Sequence, residues 1–360
     1  MKRVLSILIS CALLATGAAV LPSCSDNSKG EINVYNWGDY IADGSEKDDN
    51  SYYKDTIAEF EEETGITVNY TTYETNEELY NLLKSSNTSY DVIIPSDYMV
   101  EKLKDEGLLQ KLNMKKIPNA DDIMDNLKNP VYDPKGEYSV PYSWNVTGLV
   151  YNKTMVKNKP DSWNTLWDKN LKGKILQFNN SRDAYAIAMQ LCSINPETFD
   201  KKDIDKATEK LKEQKPLLKK YVMDQVFAEM EKDQSAAAPY YAGDIYTMMK
   251  NNDNLEGVLP KEGSNLFVDA MCIPKNAENV DGAHKFINYM TKAEVSAANA
   301  EYITYASPVK SAKALLPKDL SSSELVYPSD SYLKKCYTFR NVSEDTYAYM
   351  GEQFTKLMSK

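Results

Sequence analysis

Short apolar runs alternate with amphipathic stretches of helical period along most of the chain. Ile32, Val34 and Tyr35, within E-I-N-V-Y-N-W-G-D-Y from Glu31 to Tyr40, read as a buried strand that stops at Asn36. Asn50 or Ser51 then caps a helix through Phe60 that ends near Gly65. Ile66 to Tyr70 reads as a strand, and Thr75-Asn-Glu-Glu78 as a capping box opening a helix to about Ser85. Asp91 to Pro95 is a further strand with Ser96, Asp97 and Tyr98 at its carboxyl end, and a helix over Met99 to Glu106 stops at Gly107. Strands alternating with helices imply βαβ units and a mostly parallel sheet.

Tyr138-Ser-Val-Pro-Tyr-Ser-Trp144 breaks the alternation and reads as a crossover, after which Val146 to Tyr151 opens a second unit. That unit continues with a strand at Lys174 to Phe178 and an apolar helix to Cys192. A lysine-rich, solvated helix covers Ile204 to Lys212. The small-residue strand Ser235 to Pro239 leads into a helix after Tyr240-Tyr-Ala-Gly-Asp244, and Leu255 to Leu259 is another strand. Leu266-Phe-Val-Asp-Ala-Met-Cys-Ile-Pro274 reads as a strand returning to the first unit, with helices at Ala283 to Met290 and Glu294 to Tyr302 and a helical tail beyond Pro308. The pattern is α/β in two lobes: 31–142 plus 269–312, and 143–268 plus 313–360. Hinges are expected near Pro141 to Trp144 and Leu266 to Asp269.

A length of 360 residues, 42% of them hydrophobic, allows two lobes with cores of their own. The first residues change the picture of where the protein works. Lys2 and Arg3 precede an apolar run, Val4 to Leu21, at the short end for a membrane span, and Leu21-Pro-Ser-Cys24 resembles a bacterial lipobox. Residues 1–23 are therefore expected to be a lipoprotein signal peptide, Cys24 the lipid acceptor and 24–30 a tether. The alternative is an ordinary secretory signal with a coincidental cysteine. The expected location is the cell envelope, periplasmic or on the outer face of the cytoplasmic membrane.

The net charge of −11 becomes more negative once Lys2 and Arg3 leave with the signal. Such a surface repels nucleic acid and anionic lipid and draws cations inward, although acidity also simply aids solubility. Cys192, Cys272 and Cys336 remain after Cys11 and Cys24 are accounted for. Three is odd and their spacing suits no metal, so no disulfide framework is expected. The single histidine, His284, reads as a helix-surface residue and leaves no room for a His-based triad or a multi-His zinc site.

Candidate chemistry begins just past the first strand, where Trp37, Asp39 and Tyr40 follow one another. In open α/β sheets ligands bind beyond the carboxyl ends of strands. A carboxylate between aromatic faces suits an organic cation. A surface turn with two half-packed rings accounts for the same residues equally well. Asp269 stands out more, because it interrupts the apolar run Leu266 to Ile273 and an unpaired buried charge is costly.

The order of segments resembles the substrate-binding proteins of bacterial polyamine (spermidine/putrescine) ABC transporters. The matching stretches are Y-N-W-G-D-Y (35–40), Y-D-V-I-I-P-S-D-Y (90–98), S-V-P-Y-S-W (139–144), S-R-D-A (181–184), Y-A-G-D (241–244), P-K-E-G (260–263), F-V-D (267–269) and Y-A-S-P (305–308). The resemblance implies a periplasmic-binding-protein type II fold, two mixed-sheet α/β lobes joined by crossover hinge strands and closing over an extended amine. It implies aromatic walls from Trp37, Tyr40, Tyr98, Tyr241, Phe267 and Tyr305, carboxylates from Asp39, Asp183, Asp244 and Asp269, and a hydrogen bond from Ser96. It also implies a monomer with a permease partner and no cofactor.

Each of these residues has a structural reading beside the functional one. Asp183 suits a helix N-terminus, Ser96 an N-cap, and Asp244 a cap after Gly243. Arg182 reads as a structural anchor, since a cation opposes a cationic ligand. The chain departs from the family at Asn180, where spermidine-type members carry an acid, and at Tyr241 and Phe267, where larger rings are usual. Asp39 and Asp244 are acids that not every member has, and Arg340 falls near a polar ligand contact of some members. These departures leave putrescine against spermidine open. Ferric-ion binding through the Tyr240-Tyr241 pair is the rival within the fold, and a carboxylate-based extracellular glycosidase the rival outside it.

Overall fold

The computed structural model describes residues 30–45, 54–85 and 89–359. The expected signal peptide, the Cys24 anchor, the tether as far as Lys29 and the expected caps at Asn50 and Ser51 lie outside these residues. No helix among the described residues is long and apolar enough to cross a membrane.

The first sheet is built on β1 (Glu31–Trp37), whose Ile32, Val34 and Tyr35 are buried. The next helix, α1 (Thr56–Thr64), starts later than its apolar pattern suggested. Asp55 caps it by accepting the Ala58 N–H at 2.8 Å, and Gly65 ends it at φ 66°, where a Cβ is unfavourable. β2 (Thr67–Tyr73) runs parallel to β1. α2 (Asn76–Ser85) opens on half of the expected capping box. Thr75 Oγ1 accepts the Glu78 N–H, but the Glu78 carboxylate turns to the Glu74 N–H. β3 (Val92–Ile93) flanks β1 on its other side, giving the order β2-β1-β3, and α3 (Asp97–Asp105) follows at once.

The expected crossover and the strand opening the second unit are one element. β4 (Val140–Asn152) is thirteen residues long and buried along its whole length, so no turn separates them. The second sheet adds β5 (Ile175–Phe178), α4 (Ser181–Leu191), α5 (Lys201–Gln214), β6 (Leu218–Val222), α6 (Gln225–Glu231), β7 (Ala237–Tyr241), α7 (Ala242–Asn251) and β8 (Leu255–Val258). Its order is β6-β5-β7-β4-β8, with β5 parallel to β6 and β7 while β4 is antiparallel to β7 and β8. β6 and α6 were not foreseen, because L-K-K-Y-V carries two exposed lysines on an edge strand and loses the apolar alternation.

β9 (Leu266–Met271) lies antiparallel to β4, from Val146↔Leu266 to Val140↔Met271. Bridges Ser96↔Asp269 and Ile93↔Cys272 then attach it to the first sheet. Two neighbouring strands thus cross between two apolar cores, one around Ile32, Phe60, Val92 and Phe286, the other around Trp163, Phe178, Tyr185 and Ile245.

The remaining helices are α8 (Val280–Met290), α9 (Ala293–Ile303), α10 (Lys318–Ser321), α11 (Asp330–Leu333) and α12 (Glu344–Ser359). The switch to the second core comes later than the expected 313: Leu316, Leu320, Val326 and Tyr327 still pack in the first core, while Met350, Phe354 and Leu357 pack in the second. His284 on α8 is buried rather than surface-facing. The chain around Asn113 packs over that face of the helix, and the Asn113 N–H donates to Nε2 at 2.9 Å. Cys192, Cys272 and Cys336 are free thiols.

Candidate functional site

Asp269 sits in the middle of β9, with 5% of its surface exposed, where that strand meets the start of α3. Tyr40 donates to Oδ2 at 2.6 Å and Ser96 to Oδ1 at 2.7 Å. Ser96 occupies the N-cap position of α3, yet its hydroxyl makes no cap bond and is turned to Asp269 instead. Burial pushes the Asp269 carboxyl up to about 6, the two hydroxyls holding it from rising further. The next residue along, Asp97, accepts the N–H groups of Tyr98 and Val268 and so pins β9 to α3.

From Asp269 a continuous row of rings leads across both crossover strands. Tyr40 meets Tyr142 at 5.9 Å between centroids and Tyr305 edge-on at 5.8 Å. Tyr305 meets Phe267 at 5.7 Å, and Phe267 meets Tyr241 at 5.3 Å. Gly243 allows this row to close. A Cβ there would lie 2.2 Å from the Tyr305 ring and 2.5 Å from the Thr304 carbonyl, so only glycine lets the 304–305 segment rest on α7.

At the far end of the row the Tyr241 hydroxyl reaches Asp183 Oδ2 at 3.4 Å. Asp183 lies in the first turn of α4, 6% exposed, below an N-cap in which Asn180 accepts the N–H groups of Arg182 and Asp183. Burial pushes its carboxyl up to about 7, with the neighbouring Arg182 charge acting in the opposite sense. No ion pair reaches Asp183 or Asp269 among the described residues; their partners are hydroxyls.

The family model of the bacterial extracellular solute-binding proteins matches residues 55–326. The chain belongs to the bacterial extracellular solute-binding protein family. It is 32% identical to the spermidine/putrescine-binding periplasmic protein of Salmonella typhimurium, over 96% of this chain and 97% of that one. Identity to a putrescine-binding periplasmic protein of Pseudomonas aeruginosa is 30%, over 96% of each. Among solved structures it is similar to the spermidine/putrescine ABC transporter substrate-binding protein of Streptococcus pneumoniae, with TM-score 0.80 and 34% identity over 91% of this chain and 98% of that one. The fold is accordingly the periplasmic-binding-protein arrangement of two α/β lobes joined by hinge strands.

Within this solute-binding protein the other candidate residues are placed less centrally. Asp244 accepts the Tyr305 hydroxyl at 2.8 Å from the first turn of α7 and is half-buried. Trp37 ends β1 half-buried, its ring tilted on Tyr73 at 4.5 Å and its indole N–H buried without a partner. Asp39 is exposed on a left-handed turn at φ 51°, apart from the buried carboxylates. Tyr98 shows one face to the protein's own Arg182, 4.0 Å from guanidinium carbon to ring centroid, and its hydroxyl is held by Asn76 and Glu77.

Arg340 does not face the carboxylate row. Its guanidinium forks onto Glu101 of α3, with Nε at 3.0 and 3.1 Å, and the Asn341 N–H adds a third donor at 2.8 Å. Lys102 to Glu344 at 3.1 Å and Tyr347 to Glu77 at 3.1 Å join the same two regions. These contacts tie α2 and α3 of the first lobe to the tail leading into α12. Sequence reasoning missed them because the partners stand more than two hundred positions apart. The ferric reading fares poorly on geometry: Tyr240 donates to Asp224 and Tyr241 to Asp183, so the pair does not converge, and burial pushes both phenols up, away from the phenolate a ferric ion needs.

Proposed function

We propose that the protein captures a polyamine of the putrescine and spermidine class outside the cytoplasm and delivers it to an ABC permease. The observation that carries this is the pair of buried carboxylates, Asp183 and Asp269, at the two ends of a row of rings, with no ion pair to either among the described residues. Methylene chains suit flat apolar walls, and each desolvated ammonium needs an acceptor. The relatives named for spermidine and putrescine support the same reading. Trp37, Tyr40, Tyr241, Phe267 and Tyr305 form the walls, Ser96 orients Asp269, and Asp39, Asp244 and Tyr98 edge the cleft. The protein acts as a monomer and binds its ligand without turning it over. Native mass spectrometry of the purified protein, followed by calorimetric titration with putrescine and spermidine, tests this. A co-purifying amine or micromolar binding is expected. Binding of neither amine, or a coloured ferric complex, overturns the reading.

The carboxyl groups make binding depend on pH. Asp183 near 7 and Asp269 near 6 hold protons in the free protein at mildly acidic pH, and a bound dication must displace them. Putrescine affinity is expected to rise by up to roughly a hundredfold from pH 5.5 to 8 if both titrate independently. The folded protein binds these protons more tightly than the unfolded chain. Their stabilising contribution is therefore full below the ordinary Asp range and lost as pH rises through 6 to 7, so in the free protein the two groups lower Tm over that window. Equal affinity at both pH values, with no dependence of the binding enthalpy on buffer ionisation, contradicts this assignment.

The lipobox-like stretch Leu21–Cys24 supports a lipid anchor on Cys24 that holds the protein at the membrane. Cys24→Ala is expected to move it from the membrane fraction to the soluble one. Retention of the variant on membranes argues for another anchor.

A further inference from the structure

The cleft has a floor as well as walls, and the register of β4 with its neighbours defines it. Asn145 stands opposite Phe267 and Thr147 opposite Tyr241, so these two side chains share the sheet face that carries the ring row. The Thr147 N–H donates to the Asn265 carbonyl at 3.0 Å, which makes Asn265 the next rung on the β9 side and puts it on that face too. On the other flank Ala306 bridges Trp144, bringing Tyr305 beside Asn145. Phe267 thus meets Tyr305 at 5.7 Å and Tyr241 at 5.3 Å from the opposite side of β4, and the rings roof Asn145 and Thr147. Three polar atoms of the floor are buried without a hydrogen-bond partner among the described residues: Asn145 Nδ2, Thr147 Oγ1 and Asn265 Oδ1. Asn145 Oδ1 accepts the Val146 N–H at 2.7 Å, which fixes the amide and leaves the donor end, Nδ2, unpaired.

We propose that Asn145, Thr147 and Asn265 hold one enclosed water beneath the rings, and that this water is a neutral acceptor for an N–H of the bound amine. The proposal rests on the polyamine reading and adds a contact to it. Buried polar groups are almost always hydrogen-bonded. An alkylammonium offers only donors, so it cannot satisfy Asn145 Nδ2 directly. Water both accepts and donates. Neighbouring side chains on one sheet face stand roughly 5–7 Å apart, so a single water reaches all three. It accepts from Asn145 Nδ2 and gives its two hydrogens to Thr147 Oγ1 and Asn265 Oδ1. One lone pair remains for the slot. In this way the water converts a donor that opposes the ligand into an acceptor that suits it. Each terminal ammonium carries three N–H donors, and both Asp269 oxygens already accept hydroxyl protons. Acceptors besides the carboxylates are therefore needed, and a bridging water serves nearly as well as a direct contact.

The test joins a high-resolution crystal structure of the wild type with putrescine or spermidine to calorimetric titration of the wild type, Thr147→Val and Thr147→Ser. The structure is expected to show a water, sealed from solvent, within hydrogen-bond distance of Asn145 Nδ2, Thr147 Oγ1, Asn265 Oδ1 and a ligand nitrogen. Thr147→Val keeps the shape and removes one of the water's anchors. It is expected to weaken amine binding about tenfold, the worth of one hydrogen bond. Thr147→Ser keeps the hydroxyl and is expected to stay within about threefold of the wild type. A dry floor, or a water there that touches no ligand nitrogen, overturns the proposal. So does Thr147→Val binding as tightly as the wild type, with or without a lower Tm, since that is the mark of a purely structural hydroxyl. Should Thr147→Val fail to fold, the wild-type structure decides alone. Amine bound over a dry floor removes this proposal and leaves the polyamine reading standing, whereas binding of no amine at all removes both.

Discussion

Asp269→Asn is expected to weaken putrescine binding roughly ten- to a hundredfold while leaving the Tm of the ligand-free protein unchanged or slightly higher at pH 8. The loss follows from removing one charge-assisted hydrogen bond to an ammonium group, worth about 1.5–3 kcal/mol. The stability follows from the surroundings of the side chain. Tyr40 and Ser96 donate to the two oxygens. Asparagine keeps one acceptor for one hydroxyl, and the other hydroxyl rotates to accept from the new amide. Above about pH 6 the wild-type group is a buried anion held only by hydroxyls, so neutralising it costs the free protein little and relieves desolvation. A purely structural aspartate would give the reverse pattern, a lower Tm with amine affinity nearly intact. Calorimetry together with thermal denaturation at pH 8 separates the two outcomes.

Arg340→Met is expected to raise the amine dissociation rate about thirtyfold without touching the ligand. Glu101 is almost fully buried and takes three donors from Arg340 and Asn341, whereas the Arg340 side chain keeps 34% of its surface exposed. Truncating one partner of a buried pair costs about 2–5 kcal/mol, and the solvent on the arginine side points to the lower end, about 2 kcal/mol. That energy acts on closure, because the pair joins the two lobes, and ligand holds the same equilibrium from inside the cleft. Small-angle scattering with amine bound is expected to show a larger radius of gyration in the variant. The double variant with Glu101→Gln is expected to recover part of the loss, since it removes the stranded charge. An unchanged dissociation rate and scattering profile, with only Tm lowered, would assign the pair to local folding.

Much of this was legible in the sequence, for reasons that differ by residue. β7 and β9 announce themselves as apolar runs because they are buried on both faces, β1 because Ile32 and Val34 share its fully buried face, α4 because it is buried all round from Arg182 to Met189, and α8 because its apolar face is continuous. Asp269 was visible as a charge set inside such a run. Asn113 and His284 meet across 171 positions, and Glu101 and Arg340 across 239. No local period encodes either meeting, which is why the histidine read as a surface residue and the arginine as a vague contact. Tyr98 read as a bare wall because the pattern could not show that Arg182 covers it. The unbroken length of β4 was hidden by Pro141 and Asn145, which look like breaks and instead lie within a strand paired to β9.

The pairing of β4 with β9 has a mechanical consequence. Two antiparallel strands, paired on both sides of a register shift between Pro141 and Ser143, form a ribbon that bends readily out of its plane and resists sliding within it. A single connecting strand would act as a swivel, but this ribbon acts as a leaf hinge with one axis. Opening then has one dominant degree of freedom. Each degree of rotation separates points on the outer rims of the lobes by a fixed amount, so the spacing of those rims is a mechanical readout of whether the cleft is occupied.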